Sequence, residues 1–399
     1  MKSPLSKVIV IALFIFLPII GYYLGSKFTF NKCLVWLNKT TNCVPFIDSS
    51  NNHNASSWVK PIATDKAIPL VKQDHTLYWY SLTKKQLNST KYKSGRINAA
   101  YGFGEEKPLL SPNGQYIAFI NDEDGYLYIL PSGSNEAIKI TDYKVDYLNS
   151  WSSDSSKILF YSNLNNLVTS KEPPNTMEIP LWETDVSFNN KASPGFHYFN
   201  IENGQDIYLY PLTTADKFID KNRILVEMNP FERNNKRYVL FNVDTFTADF
   251  STVNYPIKSI TTQKSFSADG TLWAKSVDDG FFNSDIKIIF SKFPDDQGDI
   301  VDTSAWSRVQ WPLLNTDGTY LAYVSRQVSE DNSKDKTIIW DSTLKKNIKE
   351  LNGFPEYWID KNILLIGNGG FSTAKMFGYD AYSLYYADTE TTETLVLSE

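Results

Sequence analysis

One turn is written seven times in this sequence, and that repetition limits the folds open to it. "SPNGQYIAF", centred on Asn113, runs from an Asn-Gly turn straight into an alternating apolar segment, the mark of two tightly joined strands. The pattern recurs at Asp154 ("SWSSDSSKILFY"), Asp220 ("FIDKNRILVEM"), Asp269 ("FSADGTLWAK"), Asp317 ("LNTDGTYLAYVS") and Asp360 ("WIDKNILLIG"), with a weaker copy at Asp65 ("IATDKAIPLV"). The intervals are 48, 41, 66, 49, 48 and 43 residues. A unit of that size cannot bury both of its faces alone, so the copies must stack on one another.

A second element interleaves with the first. Each turn is followed by a short aromatic or β-branched strand, a polar turn and another strand: "TLYWYSLTKKQLNSTKY" from Thr76, "GYLYILPSGSNEAIKIT" from Gly125, "DIYLYPLTT" from Asp206, "RYVLFNVDTFTADF" from Arg237, "DIKIIFSKFPDD" from Asp285, "KTIIWDSTLKKNIKEL" from Lys336 and "YSLYYADTETTETLVL" from Tyr382. Each copy is then an inner hairpin carrying the Asp turn and an outer hairpin. Four antiparallel strands repeated about an axis predict an all-β, seven-bladed β-propeller over residues 58–399, six or eight blades being the alternatives. Asp and Asn suit the turns because their side chains bond the backbone two residues on, and Gly because it accepts left-handed dihedrals. The apolar residue ahead of the turn, such as Trp151, Phe266, Trp358 or the pair Leu109 and Leu110, is expected to pack between neighbouring sheets.

Composition agrees. Aromatic residues make up 15% of the 399-residue chain and Met only four positions, which favours strands over helices. Residues 108–399 carry 25 Lys and Arg against 40 Asp and Glu, while residues 1–107 carry 14 against 5. An acidic body is a poor surface for phosphate backbones, which excludes nucleic acid as the expected partner.

The start of the chain is of another kind. Residues 8–26, "VIVIALFIFLPIIGYYLGS", carry no charge and as a helix would reach about 28 Å, close to the thickness of a bilayer core. They are expected to form a transmembrane signal-anchor, with Tyr22 and Tyr23 at the interface. A cleaved signal peptide is the competing reading, though its apolar region is normally shorter and Tyr23 and Leu24 suit a cleavage site poorly. Lys2 and Lys7 then place residues 1–7 in the cytoplasm and the body outside it, periplasmic or at the cell surface. Residues 27–57 read as a stalk that ends in the polar spacer "DSSNNHNASS". Its Cys33 and Cys43, the only cysteines, would close a small disulfide loop contributing about 2–3 kcal/mol, with two free thiols as the alternative.

The repeat Trp151–Ser152–Ser153–Asp154 followed by "SSKILFY", together with Ser111–Pro112–Asn113–Gly114 and Ser267–Ala268–Asp269–Gly270, resembles the WD-repeat-like unit of TolB-type β-propellers. The resemblance covers nearly all of residues 58–399. It implies an extracytoplasmic domain that binds other proteins or accompanies a separate catalytic domain. The chain departs from TolB in its seven repeats where TolB has six blades, in its apparent anchor, and in lacking TolB's additional α/β domain.

No catalytic motif is written on this scaffold. There is no G-x-S-x-G elbow, Asp269 and Gly270 are too close for a sialidase Asp-box, and "GNGGFSTAK" (367–375) lacks the Lys position of a phosphate loop. No cofactor is expected. Asp122 and Asp124 in "NDEDGYLY" and Asp295, Asp296 and Asp299 in "DDQGD" group hard oxygens on single loops, which suits calcium; solvated hairpin tips are the ordinary alternative. The long interval between Asp154 and Asp220 holds an insertion near 165–206, where binding often resides on a rigid scaffold. The chain is therefore expected to be a non-catalytic, membrane-anchored module for a protein or cell-envelope polymer. The alternative is a glycan- or peptide-active hydrolase or lyase with acid and base carboxylates in the funnel.

Overall fold

The structure is a computed structural model that describes residues 66–72, 74–94, 107–162, 195–209, 215–228, 237–249, 260–278, 286–293, 298–304, 308–327, 334–368, 379 and 381–397. These residues form seven antiparallel sheets in chain order. Blade 1 spans 67–93, blade 2 109–144, blade 3 147–208, blade 4 215–249, blade 5 260–304, blade 6 308–352 and blade 7 354–396. Blades 2 to 7 each have four strands in simple up-and-down order, and blade 1 shows three. The segment ahead of Asp65, where the repeat predicts a further strand of blade 1, lies outside the described residues, as do the anchor segment 8–26 and Cys33 and Cys43. Among the described residues there is no helix long and apolar enough to cross a membrane.

Among the described residues the apolar core is divided rather than central. A separate apolar cluster fills each gap between consecutive sheets: blades 1 and 2, 2 and 3, 3 and 4, 4 and 5, 5 and 6, 6 and 7. The seventh gap joins Ile359, Leu365 and Leu384 of blade 7 to Ile68 and Leu70 of blade 1. That last cluster closes the ring. Across the same closure the Tyr357 hydroxyl donates to Pro69 O at 2.6 Å and the Tyr382 hydroxyl to Val71 O at 2.7 Å.

Burial explains the strand chemistry. The second strand of each blade is covered on both faces, so Tyr116–Ile120 and Ile363–Gly367 are almost wholly buried and read as unbroken apolar runs. Outermost strands such as Gln86–Lys93 and Lys346–Asn352 are largely exposed and polar. The residue ahead of the turn packs between sheets as expected. Trp151 joins the core between blades 2 and 3, Phe266 that between blades 4 and 5, and Trp358 that between blades 6 and 7.

One boundary differs from expectation. The strand Gly195–Asn200 pairs with Lys157–Ser162, so residues 195–206 belong to blade 3 and the insertion narrows to 163–194. Phe196, Tyr198 and Phe199 of "GFHYFN", within the expected insertion, are buried. The outer hairpin of blade 3 thus begins one strand earlier than Asp206.

Candidate functional site

The repeated turns form a structural belt. In the five-residue version the Ser ahead of the Asp accepts the amide five residues on and donates to the Asp itself. Ser152 Oγ accepts from Lys157 N at 2.9 Å and donates to Asp154 Oδ1 at 2.7 Å, and Ser267 does the same with Leu272 N and Asp269 at 3.0 and 2.6 Å. The four-residue version keeps only the Asp, so Asp360 Oδ1 accepts from Asn362 N and Ile363 N at 2.8 and 3.0 Å. Burial pushes the Asp154 carboxyl up, but its donors from Ser152, Ser156 and Lys221 outweigh this and hold it below the usual aspartate range. Asp269 behaves alike, with Ser267 and Thr271 as the donors.

Each turn also grips the next blade. Ala67 N donates to Gly114 O at 3.3 Å, Asn113 N to Ser155 Oγ at 3.0 Å, Ala268 N to Thr316 O at 2.8 Å and Asn315 Nδ2 to Lys361 O at 2.6 Å. Lys66 closes the circle on Asp360 at 3.1 Å. Gly270, at φ +69°, sits so close to blade 4 that a Cβ there would lie 2.6 Å from Ile219 O. These Asp residues are consumed by architecture.

The other end of the ring is built differently. The connections at the belt end are at most six residues long, whereas 94–108, 163–194, 229–236, 250–259, 279–285 and 368–380 all leave and return at the opposite end. The candidate calcium ligands Asp122 and Asp124 lie at this end. Asp122 Oδ2 is 2.9 Å from His75 Nδ1 of blade 1. Asp124 accepts from Tyr126 N at 3.0 Å and from the Tyr128 hydroxyl at 2.7 Å. Asp299 lies at the belt end and pairs with Lys345 of blade 6 at 2.8 Å. Asp295 and Asp296 fall outside the described residues. No cluster of three His, Cys, Asp or Glu that would hold a metal occurs among the described residues.

Two constellations were not legible in the sequence. The first is a buried polar staple between blades 2 and 3. The Tyr143 hydroxyl lies 3.1 Å from His197 Nδ1 and donates to Asp206 Oδ2, while His197 Nδ1 is 3.1 Å from Asp206 Oδ1. Phe160 stacks on the imidazole at 5.5 Å. With all three side chains buried, the staple joins two sheets rather than meeting solvent.

The second lies at the axis. The inner strands of blades 3 to 7 each carry a break in pairing, at Asn149, Asp216, Thr262, Trp311–Pro312 and Glu356, and such bulges re-aim side chains. In blade 7 the bulge leads Glu356 Oε2 to Lys107 Nζ at 3.0 Å. Lys107 stands just ahead of the inner strand of blade 2, so the pair passes over blade 1, and inner strands of blades two apart approach only near the axis. The Lys107 ammonium is also 5.3 Å from the Phe354 ring. Trp311 of blade 6 meets that ring edge-on at 4.9 Å. Its φ is +53°, a left-handed backbone that a bulky side chain adopts at about 1–2 kcal/mol. Glu356 Oε1 is buried and has no hydrogen-bond partner among the described residues, an arrangement that costs about 1–3 kcal/mol unless something donates to it.

No family model and no curated protein sequence matches the chain. Among solved structures it is similar to TolB from Acinetobacter baumannii, at 14% identity and TM-score 0.46 over 72% of this chain and 63% of that one. It is similar to the β-propeller domain of the trilobed protease from Pyrococcus furiosus, at 13% and 0.49 over 84% and 94%. It also resembles the Pyrococcus horikoshii acylaminoacyl peptidase, at 12% and 0.47 over 83% and 50%. The chain spans less than two thirds of the length of TolB and half that of the peptidase, and each likeness is one of fold.

Proposed function

We propose that the chain is a membrane-tethered, extracytoplasmic and non-catalytic module that docks a protein or cell-envelope polymer on the face carrying the long connections. The observation that carries this reading is the asymmetry of the ring. At one end, short turns bond to their neighbours; the strands that flank every connection longer than six residues end at the other. Rigid scaffolds that collect long loops on one face commonly recognise partners there. The uncharged segment 8–26 supplies the tether. The competing reading, a hydrolase or lyase, asks for two carboxylates at the axis. Of the inner-strand carboxylates, Glu356 faces Lys107, while the side chain of Asp216 lies outside the described ones.

The test uses the full chain in its membrane, with a photo-crosslinking residue in place of exposed Glu123 on the long-connection face or exposed Asp317 on the belt face. Adducts with protein or polymer are expected from position 123 and not from 317. The reverse pattern, or none from either, sinks the proposal.

A further inference from the structure

We infer that the outermost strand of blade 7, Thr391–Val396, is a docking edge for an extended, basic segment of a partner polypeptide, which joins the sheet as a further strand. This surface is on the rim of the ring, apart from the face that carries the long connections, and the inference goes beyond the reading above.

The rim strands supply the first argument. An open strand edge presents unpaired N–H and C=O groups, and sheets blunt such edges with bulges, lysines or short length. Among the described residues six of the seven rim strands do so. Gln86–Lys93, Ile138–Lys144, Asp299–Ser304 and Lys346–Asn352 each break register against their neighbour, and all of these but Asp299–Ser304 carry lysines. Gln205–Tyr208 and Thr247–Asp249 are only four and three residues long. Thr391–Val396 has none of these devices. Its pairing with Ala381–Tyr386 runs without a shift, it contains no Lys or Arg, and among the described residues no strand pairs with its other side.

The strand is also held ready. Leu395 is buried in the seam with blade 1. Glu393, on the same face, accepts from the Tyr80 and Tyr386 hydroxyls at 3.1 and 3.0 Å and pairs with Lys85 at 3.1 Å. Thr392, Thr394 and Val396 share the other face and are exposed, Val396 by 66%. The remaining exposed large apolar residues among the described ones, Ile300 and Leu344, lie on a bulged strand and in a turn. An edge fixed in this way loses little freedom when a partner pairs with it.

Chemistry selects the occupant. Only another main chain offers donors and acceptors at the spacing of a strand, and a row of Thr and Val favours β-branched residues opposite. Charge narrows it further. Asp388 and Glu390, at the start of the strand, are exposed. Burial raises the Tyr320 hydroxyl above the usual tyrosine range, and Asp341, Asp317, Asp388 and Glu390 add to the rise, so four carboxylates gather at this end, with Lys349 on the Glu390 carbonyl at 3.5 Å. A partner bearing Lys or Arg here is matched in charge. A second copy is not, since residues 108–399 carry 25 Lys and Arg against 40 Asp and Glu. An antiparallel partner, continuing the order of the blade, brings that cation at its C-terminal end.

The experiment is calorimetric titration of the detergent-solubilised full chain with the peptide acetyl-Thr-Val-Thr-Val-Thr-Lys-amide, with hydrogen exchange followed on the complex. Binding is expected, with exchange slowed in residues 391–396. Thr394→Lys and Val396→Lys change exposed positions, so each is expected to keep its melting temperature while weakening binding about tenfold or more. A fully N-methylated peptide and one ending in Glu are expected to bind more weakly. The inference is overturned by no binding, by equal binding of either control peptide, by slowed exchange confined to another strand, or by binding indifferent to both substitutions. A dimer of the full chain in sedimentation that Thr394→Lys dissolves would place a second copy on this edge and overturn it as well. Crosslinking from position 123 reads the other face, so the two proposals fail separately.

Discussion

The indole of Trp151 in blade 3 donates to the carbonyl of Leu109 in blade 2 at 3.0 Å, and Trp358 of blade 7 repeats the bond to Leu313 of blade 6 at 2.9 Å. The residue that announces each turn is thus also a clasp between sheets. Trp151→Phe removes the donor and keeps much of the volume, so it is expected to destabilise by about 1 kcal/mol. Trp151→Ala empties the gap between blades and should cost about 3–5 kcal/mol. Denaturant unfolding of the two variants checks the ratio.

Tight contact between neighbouring turns separates otherwise similar glycines. Gly270→Ala meets both a left-handed φ and a backbone oxygen at 2.6 Å, and is expected to lose about 2 kcal/mol or more. Gly125 has φ +74° but no atom nearer than 3.4 Å to an added Cβ, so Gly125→Ala should lose only about 1 kcal/mol. Equal losses in thermal unfolding would show that the interlock between turns contributes nothing.

The polar staple of blades 2 and 3 predicts a distinct response. Tyr143→Phe keeps the ring and deletes the hydroxyl that His197 and Asp206 share. With both partners left buried, a loss of about 1–3 kcal/mol is expected. A melting temperature unchanged from the parent would argue that the hydroxyl is energetically idle.

Acid should loosen the belt. Asp154 and Asp269 have carboxyls held below the usual aspartate range by their turn donors, despite burial that acts the other way. A depressed folded-state value contributes stability that is fully present above about pH 4, where unfolded aspartates have ionised, and that is lost as pH falls through the folded value. The melting temperature is expected to drop between pH 5 and pH 3, and to drop less in the double variant Asp154→Asn, Asp269→Asn. Parallel pH profiles for parent and variant would refute this assignment.

Local chemistry spelled out most of the scaffold. Asp and Asn turns at a period of about 45 residues, each followed by two apolar strands, can be read without coordinates because side chain-to-backbone bonding and strand alternation are short-range effects. Blade number, the inner and outer hairpins, and the packing of Trp151, Phe266 and Trp358 were legible for that reason. The strand Gly195–Asn200 was not, because only pairing with Lys157–Ser162 distinguishes its buried aromatics from those of a loop. Nor were the axial and staple residues. Lys107 and Glu356 lie 249 positions apart, and Tyr143 and Asp206 63, and nothing local relates them. Their meeting follows from ring closure and from bulges in inner strands, which are properties of seven sheets packed together rather than of any one repeat.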